Sequence, residues 1–240
     1  MVAEAAKNQK KSVLFEDKAV AAALKSEIKT KYGCKGYYRG YPLHDAAHEG
    51  DVDAVNALIR SKVDVNAQYH GYKRTPVMMA ASSGKADVVQ SFIDAQADLN
   101  VEDVGGFTAL MLGARSGSTK TVVALTNAKA SLNSQNETKW TALMYGAYEG
   151  QVGVCSALIA AGADLNLQNE MKRTALMLSA SYGHTQIVKE LVEAGADLDL
   201  TDKEGDTALD DAIRHRHSPI QQILQAAGAL RSCELHDIRG

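Results

Sequence analysis

Between Val152 and Ala160 the apolar residues Val152, Cys155, Leu158 and Ile159 recur at helical spacing, and Gly162 stops the run. Ahead of it, Ala142 to Tyr148 is a shorter segment rich in small residues, broken by Gly150. The pattern predicts two short helices joined by a glycine turn. The Asp-Leu-Asn that follows is extended and leads into a turn that reaches Trp140 or its equivalents. Neither helix has the roughly 12–15 residues that an isolated helix needs in water. Each must therefore bury its apolar stripe against something else.

That something is another copy. Thr75, Thr108, Thr141, Thr174 and Thr207 fall at equal intervals of 33 residues. Thr108, Thr141 and Thr174 each open Thr-Ala-Leu-Met, and Thr75 opens Thr-Pro-Val-Met. Glycines follow at Gly84, Gly117, Gly150 and Gly183, and the units close on Ala97-Asp-Leu-Asn100, Gly162-Ala-Asp-Leu-Asn166 and Gly195-Ala-Asp-Leu-Asp199. A fixed period of about 20–50 residues predicts stacked supersecondary units, stable only when about three or more are joined.

These phrases resemble the ankyrin repeat, with its Thr-Pro-Leu-His at the first helix, a glycine between helices, and Gly-Ala-Asp-Leu-Asn at the close. The resemblance covers residues 41–230 and implies an all-α solenoid of about six helix–turn–helix repeats linked by β-hairpin loops. The repeats fall at approximately 41–68, 69–103, 104–136, 137–169, 170–202 and 203–230. The first begins Tyr41-Pro42-Leu43-His44, and one extra residue sits in the loop around Tyr69 to Lys73. Met78, Met111, Met144 and Met177 replace the usual histidine, which is expected to tie neighbouring loops together; they offer adaptable apolar filling instead. Gly113, Gly146 and Ser179 replace a helix alanine and are expected to weaken the first helices by up to about 1 kcal/mol each.

The ends differ from the middle. Asp17 to Lys31 carries Val20, Leu24 and Ile28 at four-residue spacing, an N-terminal amphipathic helix expected to cap the first repeat or to act as an anchor. Residues 1–12 read as a basic tail, and residues 1–40 as a unit apart from the repeats. Tyr37, Tyr38, Tyr41 and Tyr69 are expected to seal that segment against the first repeat. In the last unit Asp210, Asp211, Arg214, His215, Arg216 and His217 put charge where inner repeats are apolar, which reads as a solvated cap before a short tail at 231–240.

Charge narrows the partners. Residues 1–40 carry nine basic and four acidic residues, leaving the remainder at −8. An acidic repeat body is a poor match to a phosphate backbone, so no nucleic-acid partner is expected. No apolar run approaches the roughly 18–20 residues that cross a bilayer, and Lys7, Lys10 and Lys11 interrupt any signal core. Three widely spaced cysteines (Cys34, Cys155, Cys233) suit a reducing compartment. A cytoplasmic location is expected, with an organelle interior after removal of a transit peptide as the alternative.

Signals for chemistry are weak. Gly113 to Thr121 is spaced wrongly for a P-loop: Gly117 comes one residue early and Lys120 stands three beyond it. His215, His217, Cys233 and His236 form no pair of close metal ligands. Cys155 lies on an apolar stripe, where thiols are inert. Asp64, Asp98, Asp164 and Asp197 recur once per repeat, as turn residues and not as catalytic groups. Asn136-Glu-Thr138 matches a glycosylation acceptor, and Asn66 and Asn166 match a hydroxylation context of the family; a turn role accounts for the latter two. Catalytic residues, cofactors and metals are accordingly assigned none.

The resemblance further implies a concave surface of loop tips and first helices. Its contact slots lie just before each threonine and just before each inter-helix glycine. The first slot holds Arg74, Phe107, Trp140 and Arg173, and the second holds Arg115, Tyr148, Glu149 and Tyr182, with Tyr72 and Lys139 on the same tips. In a chain that is 5% aromatic, this is a concentration of favoured interface anchors. The function expected is a non-catalytic protein-binding scaffold or adaptor that meets a partner protein through these residues. The alternative is a peripheral subunit of a larger, membrane-associated assembly held by the N-terminal basic helix; a nucleotide-binding enzyme ranks last.

Overall fold

The computed structural model describes residues 41–234 and, ahead of them, Lys31. Six pairs of helices follow one another: α1 (Pro42–Glu49) with α2 (Val52–Arg60), α3 (Pro76–Ser82) with α4 (Ala86–Asp94), α5 (Ala109–Arg115) with α6 (Thr119–Asn127), α7 (Ala142–Tyr148) with α8 (Val152–Ala160), α9 (Ala175–Ser181) with α10 (Thr185–Glu193), and α11 (Ala208–Arg214) with α12 (Ser218–Ala226). Odd-numbered helices stack on odd and even on even, and each pair also packs internally, so the molecule is a two-layered solenoid. The expected helix over 17–31, the basic tail, Tyr37 and Tyr38, and the end of the C-terminal tail lie outside the described residues. Lys31 places its Nζ 2.8 Å from Oδ2 of Asp51, the N-cap of α2.

The periodic threonine starts each first helix. Thr108, Thr141 and Thr174 accept at Oγ1 from the backbone N–H three residues on, at 3.4, 3.2 and 3.2 Å. That satisfies a donor the helix itself leaves open. The methionines do more than fill space. Sδ of Met78 and of Met177 accepts the backbone N–H of Thr75 and Thr174, at 3.4 and 3.5 Å, which closes the cap from the other side. Only the first repeat keeps the histidine, and His44 Nε2 reaches across to the Arg74 carbonyl at 3.0 Å.

Gly113 and Gly146 allow close packing between the two helices of a repeat. A Cβ on Gly146 would lie 3.0 Å from Cγ1 of Val154 and 3.1 Å from Sγ of Cys155; on Gly113 it would lie 3.1 Å from Cγ2 of Thr121. An alanine at either position would require the second helix's side chains to give by a few tenths of an ångström, which offsets the helix propensity it adds. Ser179 is buried and donates its hydroxyl to the Leu176 carbonyl at 2.9 Å.

Among the described residues there is no strand. The linking loops keep the closure of a hairpin without a ladder: Asp103, Asn136, Asn169 and Asp202 each donate a backbone N–H to the carbonyl four residues on. In the first loop Tyr69 donates to Arg74, five residues on, and so absorbs the extra residue. A second line of bonds joins successive repeats. Oδ1 of Asn66, Asn100, Asn133 and Asn166 accepts the backbone N–H of Asp98, Ser131, Asp164 and Asp197, at 2.8–2.9 Å. These asparagines are structural ties, and Asp64, Asp98, Asp164 and Asp197 accept within their own turns.

The last repeat corrects the picture of a solvated cap. Asp210 and Asp211 are buried. Asp210 accepts from Thr207 and from the Ser232 backbone at 2.8 Å, and pairs with Arg231 at 3.2 Å. Its burial opposes ionisation, yet these donors together leave its pKa below the ordinary value. Asp211 pairs with Arg173 of the preceding repeat; burial outweighs that partner and holds its pKa up. Two apart on one helix, His215 and His217 would point away from each other, but they do not share a helix. They end α11 and cap α12 across the turn residue Arg216 (φ 60°), so their rings stack with centroids 6.2 Å apart.

Two outcomes are expected. Burial lowers the pKa of His44 below its ordinary value of roughly 6.5, against the pull of the Arg74 carbonyl. The unfolded chain thus takes up this proton first: stability contributed by neutral His44 is complete above about pH 6.5 and lost as pH falls through the lower folded value. Urea unfolding at pH 7 and pH 5 will show this loss, and His44→Gln will reduce the difference. Second, Arg173→Ala removes one of the two arginines on the buried Asp211, leaving Arg214 at 3.5 Å, and will cost about 2 kcal/mol. Adding Asp211→Leu, the residue type at the equivalent positions Leu112 and Leu178, will restore most of that in the same measurement.

Candidate partner-binding face

Four of the five loop tips are built around one acceptor each. Oδ1 of Asp103 takes the backbone N–H of Gly105 and Phe107 at 2.9 and 3.0 Å; Oδ1 of Asn136 takes those of Thr138 and Trp140 at 3.1 and 2.7 Å. Asn169 does the same for Met171 and Arg173, and Asp202 for Glu204 and Asp206. The turn needs a left-handed residue, which is Gly106 or Gly205 in two tips and Lys73, Lys139 or Lys172 in the others. Neighbouring tips are then stitched by single backbone bonds: Val104 to Tyr72, Glu137 to Gly105, Glu170 to Thr138 and Lys203 to Met171, at 3.0–3.1 Å. This framework also disposes of the glycosylation reading. Asn136 is buried and its Nδ2 donates to the Tyr145 hydroxyl at 2.9 Å, so that nitrogen is not available to a sugar.

On this framework the aromatic side chains meet. Phe107 lies 5.5 Å from Tyr145, Tyr145 lies 5.0 Å from Trp140, Trp140 lies 5.5 Å from Tyr148, and Tyr148 lies 4.6 Å from Tyr182 (ring centroids). The result is an unbroken chain of rings across the third, fourth and fifth repeats. It continues to His184, whose ring is parallel to Tyr182 at 6.4 Å and whose Nε2 is 3.1 Å from the Tyr148 carbonyl. Phe107, Trp140 and Tyr148 are half-buried, while Tyr182 keeps 50% of its surface exposed. Phe107 and Trp140 thus neither project freely nor vanish into the core; they lean on one another through Tyr145.

Tyr145 is the residue that sequence reasoning missed. In the 33-residue register it occupies the slot of Met79, Leu112 and Leu178, all buried, so nothing in its position marks it as a surface group. Its ring lies half-buried against Phe107 of the preceding repeat, in the same inter-repeat slot where Asp211 meets Arg173. Burial raises its pKa, with the Arg115 charge acting in the opposite direction. Tyr182 is raised as well, first by its hydrogen bond to Tyr148 and then by burial.

The arginines separate into two kinds. Arg74 is held by Asp103 at 2.9 Å, with its guanidinium 5.8 Å from the centre of the Tyr72 ring, and Arg173 is held by Asp211. Arg115 is exposed at the end of α5 and has no ion-pair partner among the described residues. Tyr72 (62% exposed), Lys139 and Glu149 are open to solvent on the same side of the loops and helix ends. Arg173 therefore belongs as much to the fold as to the face.

Other candidate chemistry resolves into structure. Gly113 to Thr121 is an ordinary inter-helix turn: Ser118 caps α6, and the space over Gly117 is filled by Gln151. The carboxylates of Asp202, Glu204 and Asp206 converge within 4.8 Å, but Asp206 is paired with Arg214 and Asp202 is engaged by its own tip. Burial pushes the Cys155 thiol up to about 12, far from a reactive thiolate.

The helix pairs, capped threonines and stitched tips are matched by known proteins. The family model for ankyrin repeats (3 copies) matches residues 43–136, 106–169 and 143–231. Among solved structures, an ankyrin repeat domain from Acinetobacter baumannii AYE is similar, with 31% identity and a TM-score of 0.74, covering 79% of this chain and 99% of that one. No curated protein matches at a comparable level. Proteins built of such repeats generally serve as protein–protein interaction modules. With its matches spanning residues 43–231, the chain belongs to the ankyrin repeat family.

Proposed function

We propose that this protein is a non-catalytic adaptor, and that its partner protein lies along the concave face and is anchored on the ring chain from Phe107 to Tyr182. The observation that carries this reading is the continuity of the rings across three repeats, with centroid separations of 4.6–5.5 Å. Rings that share edges and faces are held rigid, so a partner orders few additional rotamers on binding. Tyr, Trp and Arg are also the side chains from which interfaces draw most of their energy. The excess of acid over base outside residues 1–40 favours protein over nucleic acid as the partner. Among the described residues no helix is long and apolar enough to cross a membrane.

Trp140→Ala is the discriminating variant, because Arg173 supports the fold and its removal would confuse the result. Proteins retained from an extract of the source cells by the wild-type chain and by Trp140→Ala would be compared by quantitative mass spectrometry. A genuine partner will drop by about thirtyfold or more, corresponding to about 2 kcal/mol, while circular dichroism shows the variant still folded, with the lower melt that loss of a half-buried ring entails. Equal retention on both columns would move the site away from the rings.

A further inference from the structure

We propose that the cleft between the fourth and fifth loop tips takes an aromatic side chain of the partner, set over Ser181 where the Tyr148 ring stands one repeat earlier. This rests on the preceding reading of the face and adds to it the residue class that the partner must carry and the place it occupies.

The run of rings thins out beyond Tyr182, and the 33-residue register shows why. Trp140, Tyr148 and Tyr182, whose rings meet at 5.5 and 4.6 Å, correspond one repeat on to Arg173, Ser181 and His215. None of the three replacements fills the equivalent space. Arg173 is drawn to the buried Asp211, Ser181 ends in a hydroxyl, and His215 stacks on His217 with centroids 6.2 Å apart. A cavity of about 400 Å3 lies there, and all three residues line it. Met171 and Tyr182, which are 51% and 50% exposed, form its apolar wall, so it is open to a partner already in contact with the rings.

The lining selects a ring. The segments around the cavity, 169–173, 181–183, 202–206 and 211–216, hold five basic and five acidic residues, so neither an acid nor a base finds a net field there. These ions also engage one another: Arg173 meets Asp211, while Arg214 meets Asp206, Asp211 at 3.5 Å and Glu204 at 3.9 Å. An aliphatic group laid on such pairs would strip their water and return no polar contact. An aromatic ring answers each wall. Its face attracts a guanidinium, its edge suits the thioether of Met171, and either meets the Tyr182 ring favourably.

The test is a selection of phage-displayed random peptides on the immobilised full chain, followed by affinities of the selected synthetic peptides. Peptides that require Trp140 are expected to carry a Phe, Tyr or Trp whose replacement by Ala weakens binding to wild type about tenfold or more. Ser181→Tyr, which restores the ring of the preceding repeat, will fill the cavity from within and weaken the parent peptide by a similar factor. The Ala-substituted peptide will bind Ser181→Tyr and wild type alike, because both changes remove the same contact. Met171→Ala will cost about threefold. Peptides that require Trp140 yet bind Ser181→Tyr within about twofold of wild type would overturn the cavity's role while leaving the ring site in place. A loss on Ser181→Tyr that vanishes when a charged peptide residue is replaced, and persists when the aromatic one is, would overturn the aromatic occupant. Peptides hindered by Ser181→Tyr but indifferent to Trp140→Ala would support the cavity and count against the rings; no enrichment over the uncoated support would count against both. Melting curves accompany the affinities. If Ser181→Tyr does not fold, Met171→Ala, at an exposed tip position, decides the matter, and an unchanged affinity then overturns the proposal.

Discussion

Burial of the first helices between their neighbours is the constraint from which the rest follows. In α3 every residue from Pro76 to Ala81 is buried, and in α5 every residue from Ala109 to Ala114. A seven-residue helix wrapped on almost all sides has no solvent face to carry charge, which is why these segments read as Pro-Val-Met-Met-Ala-Ala and Ala-Leu-Met-Leu-Gly-Ala. It also has no stability of its own. The repeats can only exist in contact, and contact at a fixed spacing forces the loop tips into line. A continuous face is thus a by-product of satisfying the helices, available to whatever side chains the tips happen to hold.

The polar network serves the same end. Thr108, Thr141 and Thr174 close helix ends, the Asn66, Asn100, Asn133 and Asn166 amides bind the next repeat, and Asp103, Asn136 and Asn169 shape the tips. At the helix starts these acceptors meet backbone donors that would otherwise be buried unsatisfied, an omission costing on the order of 1–3 kcal/mol apiece, while the asparagine ties join the repeats at the exposed edge. The network turns ionic where Arg74 holds the buried Asp103, and again, more fully, in the final repeat. There Asp210 and Asp211 draw in Arg231 and Arg173, and burial makes those partners obligatory instead of decorative.

The architecture was legible because a period survives in the text of the chain: equally spaced threonines and glycines fix the helices Ala142–Tyr148 and Val152–Ala160 at the residues where they are found. Slot counting also brought Phe107, Trp140, Tyr148 and Tyr182 to attention. What it could not supply was contact between slots. Phe107 meets Tyr145, and Arg173 meets Asp211, across 38 residues each, a separation that belongs to no single repeat and becomes visible only when two are stacked. Gly146 misled for a related reason. Its helix propensity is a local property, whereas its role is to admit Val154 and Cys155 from the second helix.

The separation between tip framework and tip surface has a consequence for how such a face changes over evolutionary time. Asp103, Asn136, Asn169 and Asp202 hold the turns by their own Oδ1 atoms, and each pair of neighbouring tips is joined by a backbone bond that no side chain supplies. The residues displayed between them, Gly105, Thr138, Met171 and Glu204 in equivalent places, differ in size, polarity and charge, yet their turns are alike. Substitutions at those places leave the Oδ1 and backbone bonds of the turn in place, so the displayed surface can change while the framework beneath stays constant. Tyr145 marks the exception. Half-buried where Met79, Leu112 and Leu178 are buried, it ties the rings of Phe107 and Trp140 to the tip acceptor Asn136, so a change there would be felt by both framework and surface.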